Sequence, residues 1–303
     1  MSELPHFLIE NDFGYQYSAG VDWLTVPFEA SFVTRALWGG LLVSGICALV
    51  GTWVVLRGMA FLSEAMSHGM LPGVAVAALL GGSVFIGGAI AAVAMAVGVT
   101  ALSRVSRLSR DTAIGLLFVG MLSTGVVIVS HSESFAVDLT AFLFGDVLSI
   151  GAEDLAILAV ALVVVAVVAV VFHRPFVALA FDRRKAMTLG LRPRTANFVL
   201  IGLMSLAIAA SFHVVGTLLV FGLLIGPPAA IAQWASRLPT VMIGAVVLGA
   251  LAVISGLLVS WHLDTAAGAT ISLIAVAFFF VSALLNGVSG RHRTVGIAEE
   301  RTT

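Results

Sequence analysis

Glu64 and His68 stand four residues apart in the stretch 60–72, which holds no other ionisable side chain. On a helix that spacing puts both on one face. A carboxylate and an imidazole so placed can act in three ways. They can ligate a divalent cation, since imidazole suits zinc, copper, iron and nickel and carboxylate admits manganese. They can relay a proton, or bond to each other and tie helices together. The residues alone leave all three open. Two donors do not complete a coordination shell, so a metal would draw further ligands from other helices, a second subunit, backbone carbonyls or water. His213 is a weaker candidate, as an extra ligand or an outer gate.

The segment bearing the pair is interrupted. Gly69 and then Pro72 and Gly73 follow at once, and Gly226-Pro227-Pro228 interrupts a later apolar run in the same way. Proline removes a backbone donor and frees a carbonyl one turn earlier. Transporters use such broken helices where backbone lines a substrate cavity. Pro72, Gly73, Pro227 and Pro228 are therefore expected along a path. No Ser-His-Asp arrangement, Cys-x-x-Cys pair or phosphate-binding P-loop occurs. The single cysteine, Cys47, has no intramolecular partner and reads as a small apolar residue.

These residues sit in a chain built for lipid. Of its 303 residues 60% are hydrophobic and only 10% charged, whereas soluble domains carry about 25% charged residues. Apolar runs recur at the length of roughly 20 residues that crosses a hydrocarbon core. Short polar breaks between them indicate helices rather than barrel strands. The expected fold is all-α, a polytopic transmembrane bundle of about nine spans, within a range of roughly eight to ten. The spans are 36–56, 59–79, 84–103, 112–130, 154–173, 195–213, 215–235, 240–259 and 266–286. At 1.5 Å per residue His68 then lies about 16 Å beyond Arg57, near mid-membrane. An ionisable residue at that depth is costly and marks function.

Basic residues decide orientation. With this count Arg57, Arg104, Arg107, Arg110, Arg174 and the cluster Arg183, Arg184, Lys185 share one side with most of the remaining arginines, and only Arg35 falls opposite. The positive-inside rule makes the first side cytoplasmic. The N-terminus is then outside and the C-terminus inside. The chain divides into an acidic N-terminal segment over 1–35, a membrane domain over 36–287 and a cytoplasmic tail over 288–303. The N-terminal residues lack the positive start of a secretory signal. Within 174–194, Phe181 to Leu191 reads as a short basic helix stopped by Gly190 and Pro193, either a docking element or an ordinary positive-inside loop.

Several of these stretches together resemble the manganese-, zinc- and iron-type ABC importer permeases. The first runs Arg57-Gly58-Met59-Ala60-Phe61-Leu62-Ser63-Glu64-Ala65-Met66-Ser67-His68-Gly69-Met70-Leu71-Pro72-Gly73. Asp111-Thr112-Ala113-Ile114-Gly115, Leu143-Phe144-Gly145-Asp146, Phe181-Asp182 through Gly190-Leu191, and Val215-Gly216-Thr217 with Gly226-Pro227-Pro228 follow in family order. The resemblance covers about residues 32–286 and implies a permease in the bacterial plasma (inner) membrane that imports divalent metal. Manganese is favoured over zinc or iron. Glu64 and His68 stand at the positions of the family's Asp–His metal pair. Phe181, Asp182, Arg183, Ala186, Leu189 and Gly190 fall in its cytoplasmic coupling helix. The family implies a cytoplasmic ABC ATPase dimer, an extracytoplasmic metal-binding protein and a second permease chain as partners, besides lipid and with no nucleic acid. ATP hydrolysis would belong to the ATPase chain, and no cofactor would be bound beyond the transported ion. A proton-coupled secondary transporter, with Glu64 and His68 as the relay, is the alternative expectation.

Overall fold

The computed structural model describes residues 22–105, 110–129, 147–181 and 193–299, and among these every regular element is helical. In chain order they are α1 (Asp22–Glu29), α2 (Ser31–Leu56), α3 (Ala60–Gly69), α4 (Leu71–Leu79), α5 (Val84–Val105) and α6 (Arg110–Val129). A short 3-10 turn at Val147–Ser149 leads to α7 (Ala152–Val171), α8 (His173–Phe181), α9 (Pro193–Ala232), α10 (Leu238–Leu263) and α11 (Ala267–Glu299).

Eight apolar stretches within these helices are each long enough to cross a membrane alone. The ninth expected span, 59–79, is made by α3 and α4 end to end, with only Met70 between them. Together they reach about 30 Å, enough for one crossing. α9 holds two of the eight stretches, Thr195–Phe212 and Val214–Ala232. Near the start of the second stretch Gly216, with φ 76° and ψ 166°, leaves the helix. That conformation is essentially reserved for glycine. α11 continues through Glu299, beyond the boundary expected at 287.

Among the described residues, the contacts at the two ends are those that alternation of the expected spans would bring together. At one end Phe32, Leu148, Trp261, Asp264 and Ala267 surround a cavity of about 380 Å³. All five fall in stretches expected on the outer side. At the other end Trp53 meets His173 and Phe176 edge-on, and Trp234 Nε1 donates to Ser282 Oγ at 2.7 Å. These belong to the inner ends of the expected spans.

α2 is the centre of the bundle, with Ile46, Cys47, Val50, Trp53 and Val54 all fully buried. It packs on the second half of α9 and on α7 and α10. Lipid tails supply little net drive for apolar side chains to associate, so membrane helices join through small residues and close backbone approach. Gly51 of α2 lies directly against the carbonyl of Leu224. Gly73 of α4 and Gly87 of α5 likewise touch backbone to backbone. Two hydroxyls inside the bundle turn back on their own helices. Thr52 Oγ1 donates to Ala48 O at 2.7 Å and Ser205 Oγ to Ile201 O at 2.9 Å. This satisfies a polar atom where no water competes.

Candidate metal site

α3 is a ten-residue helix with two unlike faces. Leu62, Ala65 and Met66 are buried against the bundle, where α5, α6 and α9 adjoin it. The opposite stripe carries Phe61, Glu64 and His68. Glu64 is 32% exposed and His68 19%. The i, i+4 spacing brings them together as expected. His68 Nε2 and Glu64 Oε1 are 3.0 Å apart, with the ring N–H donating to the carboxylate. A neutral imidazole donating from Nε2 keeps its lone pair on Nδ1. The ring also stands edge-on to Phe118 of α6, at 5.8 Å between centroids and 69° between planes. Phe118 thus orients the imidazole from a separate helix. Nothing in the spacing of Phe118 announced that contact.

The local sequence explains the short helix. Ser63 Oγ donates to Ala60 O at 2.7 Å, and Ser67 Oγ to Ser63 O at 3.1 Å, so neither hydroxyl competes for Glu64 or His68. Met59, Met66 and Met70 are all buried, as packing residues rather than part of the exposed stripe. Pro72 lies in the first turn of α4, where a missing N–H costs nothing. It starts the second helix rather than kinking the first, and Val74 N donates to Met70 O at 3.1 Å across the junction.

Among the described residues no group of three or more His, Cys, Asp or Glu converges. The structure therefore brings Glu64 and His68 together and adds no third ionisable donor from that set. The backbone of His213 lies in α9 three residues before the Gly216 break; its side chain lies outside the described residues. Gly73 faces Gly87, Pro227 and Pro228 are buried, and the Pro228 ring approaches Gly51. Phe181 ends α8, while Asp182, Arg183, Ala186, Leu189 and Gly190 lie outside the described residues, as do the Leu143–Asp146 positions.

Two contacts at the α2–α3 turn went unread in the sequence. Arg57 Nη1 donates to Asn197 Oδ1 at 3.1 Å, and Trp53 packs on α8. Arginine beside glycine at a span end signals a turn, but not its partner 140 residues away.

Comparison with known proteins gives a consistent picture. The model of the ABC 3 transport family matches residues 29–286. The manganese transport system membrane protein MntC of Halalkalibacterium halodurans is 36% identical over 256 residues, covering 82% of this chain and 87% of that protein. The chelated iron transport system membrane protein YfeC of Yersinia pestis is 29% identical over 282 residues, covering 90% and 94%. Among solved structures, PsaBC from Streptococcus pneumoniae in complex with Fab superposes with a TM-score of 0.78 at 28% identity, covering 86% of this chain and 94% of that one.

Proposed function

The chain belongs to the ABC 3 transport family, and on that premise we propose that it imports divalent manganese through a path on which Glu64 and His68 are the ligating pair. It is a multi-pass membrane permease of a metal-ion ABC transport system. The observation that carries the finer reading is the half-buried Glu64–His68 pair on a helix whose other face packs into an apolar bundle. A carboxylate facing lipid near mid-membrane costs about 3 kcal/mol or more. A face that carries one therefore borders a watery path, a second permease chain, or both.

The metal preference rests on the relatives and on donor chemistry. The relative named for manganese is 36% identical and the one named for chelated iron 29%. A carboxylate beside an imidazole admits manganese and iron. The 3.0 Å between His68 Nε2 and Glu64 Oε1 is the length of a hydrogen bond that an incoming ion would replace. His213 would enter as a further ligand from α9. α9 stays helical through Pro227 and Pro228 instead of breaking there, and its backbone leaves the helix at Gly216. That turn and the α3–α4 junction at Met70 would serve as joints in the walls of the path.

An ATPase dimer would dock on the stretch from Phe181 to Gly190, with the N-terminus outside and the C-terminus in the cytoplasm. A metal-binding protein would deliver the ion to the opposite end. The proton-coupled carrier draws no support from family membership. Uptake of radiolabelled manganese into proteoliposomes holding this chain and its ATPase partner tests the reading. Uptake that requires ATP, survives a protonophore and is competed by iron more strongly than by zinc is expected. Uptake that ignores ATP and collapses with the proton gradient would refute it.

A further inference from the structure

The turn between α2 and α3 is fastened on both sides to the helices that flank residues 182–192. Trp53, near the end of α2, is fully buried. Its ring stands edge-on to Phe176 at 5.3 Å and 66°, and to His173 at 5.9 Å and 70°. Both partners are in α8, the helix entering that segment. Arg57, the first residue after α2, donates from Nη1 to Asn197 Oδ1 at 3.1 Å. Asn197 is in the first turns of α9, the helix leaving the segment. The turn itself is tight. Gly58 adopts φ +62°, and Met59 N donates to Val54 O at 2.9 Å. The helix it launches is α3, with Glu64 about 10 Å further on.

We propose that this elbow, formed by Trp53, Arg57 and Gly58, passes displacement of α8 and α9 to the Glu64–His68 helix. The inference rests on the importer reading, in which the segment between α8 and α9 receives the ATPase. The mechanics follow from the contacts. An interdigitated aromatic contact and a charge-assisted hydrogen bond resist shear more than apolar contact with lipid does. α3 is short and ends at Met70, where α4 begins as a separate helix. A push on α8 or α9 therefore moves the elbow and reorients α3 instead of bending the longer helices. Trp53, Arg57 and Asn197 are positioning residues, remote from the metal donors.

The test uses the reconstituted permease–ATPase complex, with manganese uptake and ATP hydrolysis measured on the same vesicles. Asn197→Ala and Arg57→Gln each lower manganese moved per ATP by about tenfold, the scale of one hydrogen bond to a charged group. The double variant is no worse than either single one. Asn197→Asp, which keeps an acceptor for Arg57, restores the ratio, and Trp53→Phe, which keeps the aromatic contact, preserves it. Detergent melting midpoints stay near wild type, which separates uncoupling from misfolding. Unchanged ratios in both single variants, or multiplied losses in the double, overturn the proposal.

A second readout needs no metal. In a Cys47→Ser background, Phe61→Cys on the exposed stripe of α3 is alkylated with and without ATP and vanadate. The nucleotide alters its labelling rate, and Asn197→Ala abolishes that response. If wild type moves no manganese but this response appears and depends on Asn197, the importer reading fails and the elbow stands. If no response to nucleotide appears, the elbow is wrong whatever the uptake.

Discussion

Replacing Gly51 with alanine should loosen the centre of the bundle by about 1–3 kcal/mol, the usual cost of overpacking a tight interior. The added methyl would meet the Leu224 carbonyl oxygen directly, with the carbonyl carbon at 2.9 Å and the Pro228 ring at 3.2 Å. Carbon pairs settle at about 3.5–4.0 Å, so the carbonyl carbon alone requires α9 to retreat by at least about 0.6 Å, and the nearer oxygen requires more. Neither obstacle is the free end of a flexible side chain. A gap of that size forfeits a quarter to a half of each dispersion contact it opens, and α2 with α9 forms the main contact of the bundle. The assay is unfolding in mixed micelles with rising SDS, followed by tryptophan fluorescence, of which the chain has five sources. Gly202→Ala is the control, because nothing lies within 4 Å of its added carbon. Its midpoint should hold or rise, since alanine favours a helix by roughly 1 kcal/mol over glycine. If Gly51→Ala unfolds at the same SDS fraction as Gly202→Ala, backbone contact between α2 and α9 does not hold the bundle.

Gly216→Ala should cost about 1–3 kcal/mol in the same assay, because φ 76° and ψ 166° suit only glycine; a wild-type midpoint would deny that the two halves of α9 break there. Phe118→Leu removes the edge-on contact to His68, worth about 0.5–1.5 kcal/mol. It should raise the manganese concentration giving half-maximal uptake about two- to tenfold with the maximal rate little changed. An unaltered half-saturation would mean that Phe118 does not hold the imidazole.

The fold was legible wherever composition carries the physics. Lipid demands long apolar helices, so the span positions could be read directly, and the break near Gly69 and Pro72 was visible in the residues that cause it. Its form was less so, because Pro72 at the start of a helix begins α4 rather than bending α3. The Glu64–His68 pairing was readable because both lie on one turn of one helix, where spacing alone sets proximity. Phe118 beside His68, Asn197 beside Arg57 and Leu224 against Gly51 were hidden. Each depends on which helices become neighbours, and an apolar helix surrounded by lipid has no polar face to announce its partner. The turn near Gly216 was placed by the division between the expected spans 195–213 and 215–235, but its form was hidden, since no polar loop marks it and a single glycine performs the reversal.

The central claim is that Glu64 and His68 hold the transported ion, and the most direct measurement is ATP-dependent uptake of radiolabelled manganese by His68→Ala and Glu64→Gln at matched expression. Glu64→Gln keeps an acceptor for the imidazole while removing the charge, so it separates ligation from mere helix pairing. Both variants should reach the membrane folded and lose uptake by at least about tenfold, since losing even a partner that only orients a ligand costs about 10–100-fold. Wild-type uptake by either variant would contradict the account.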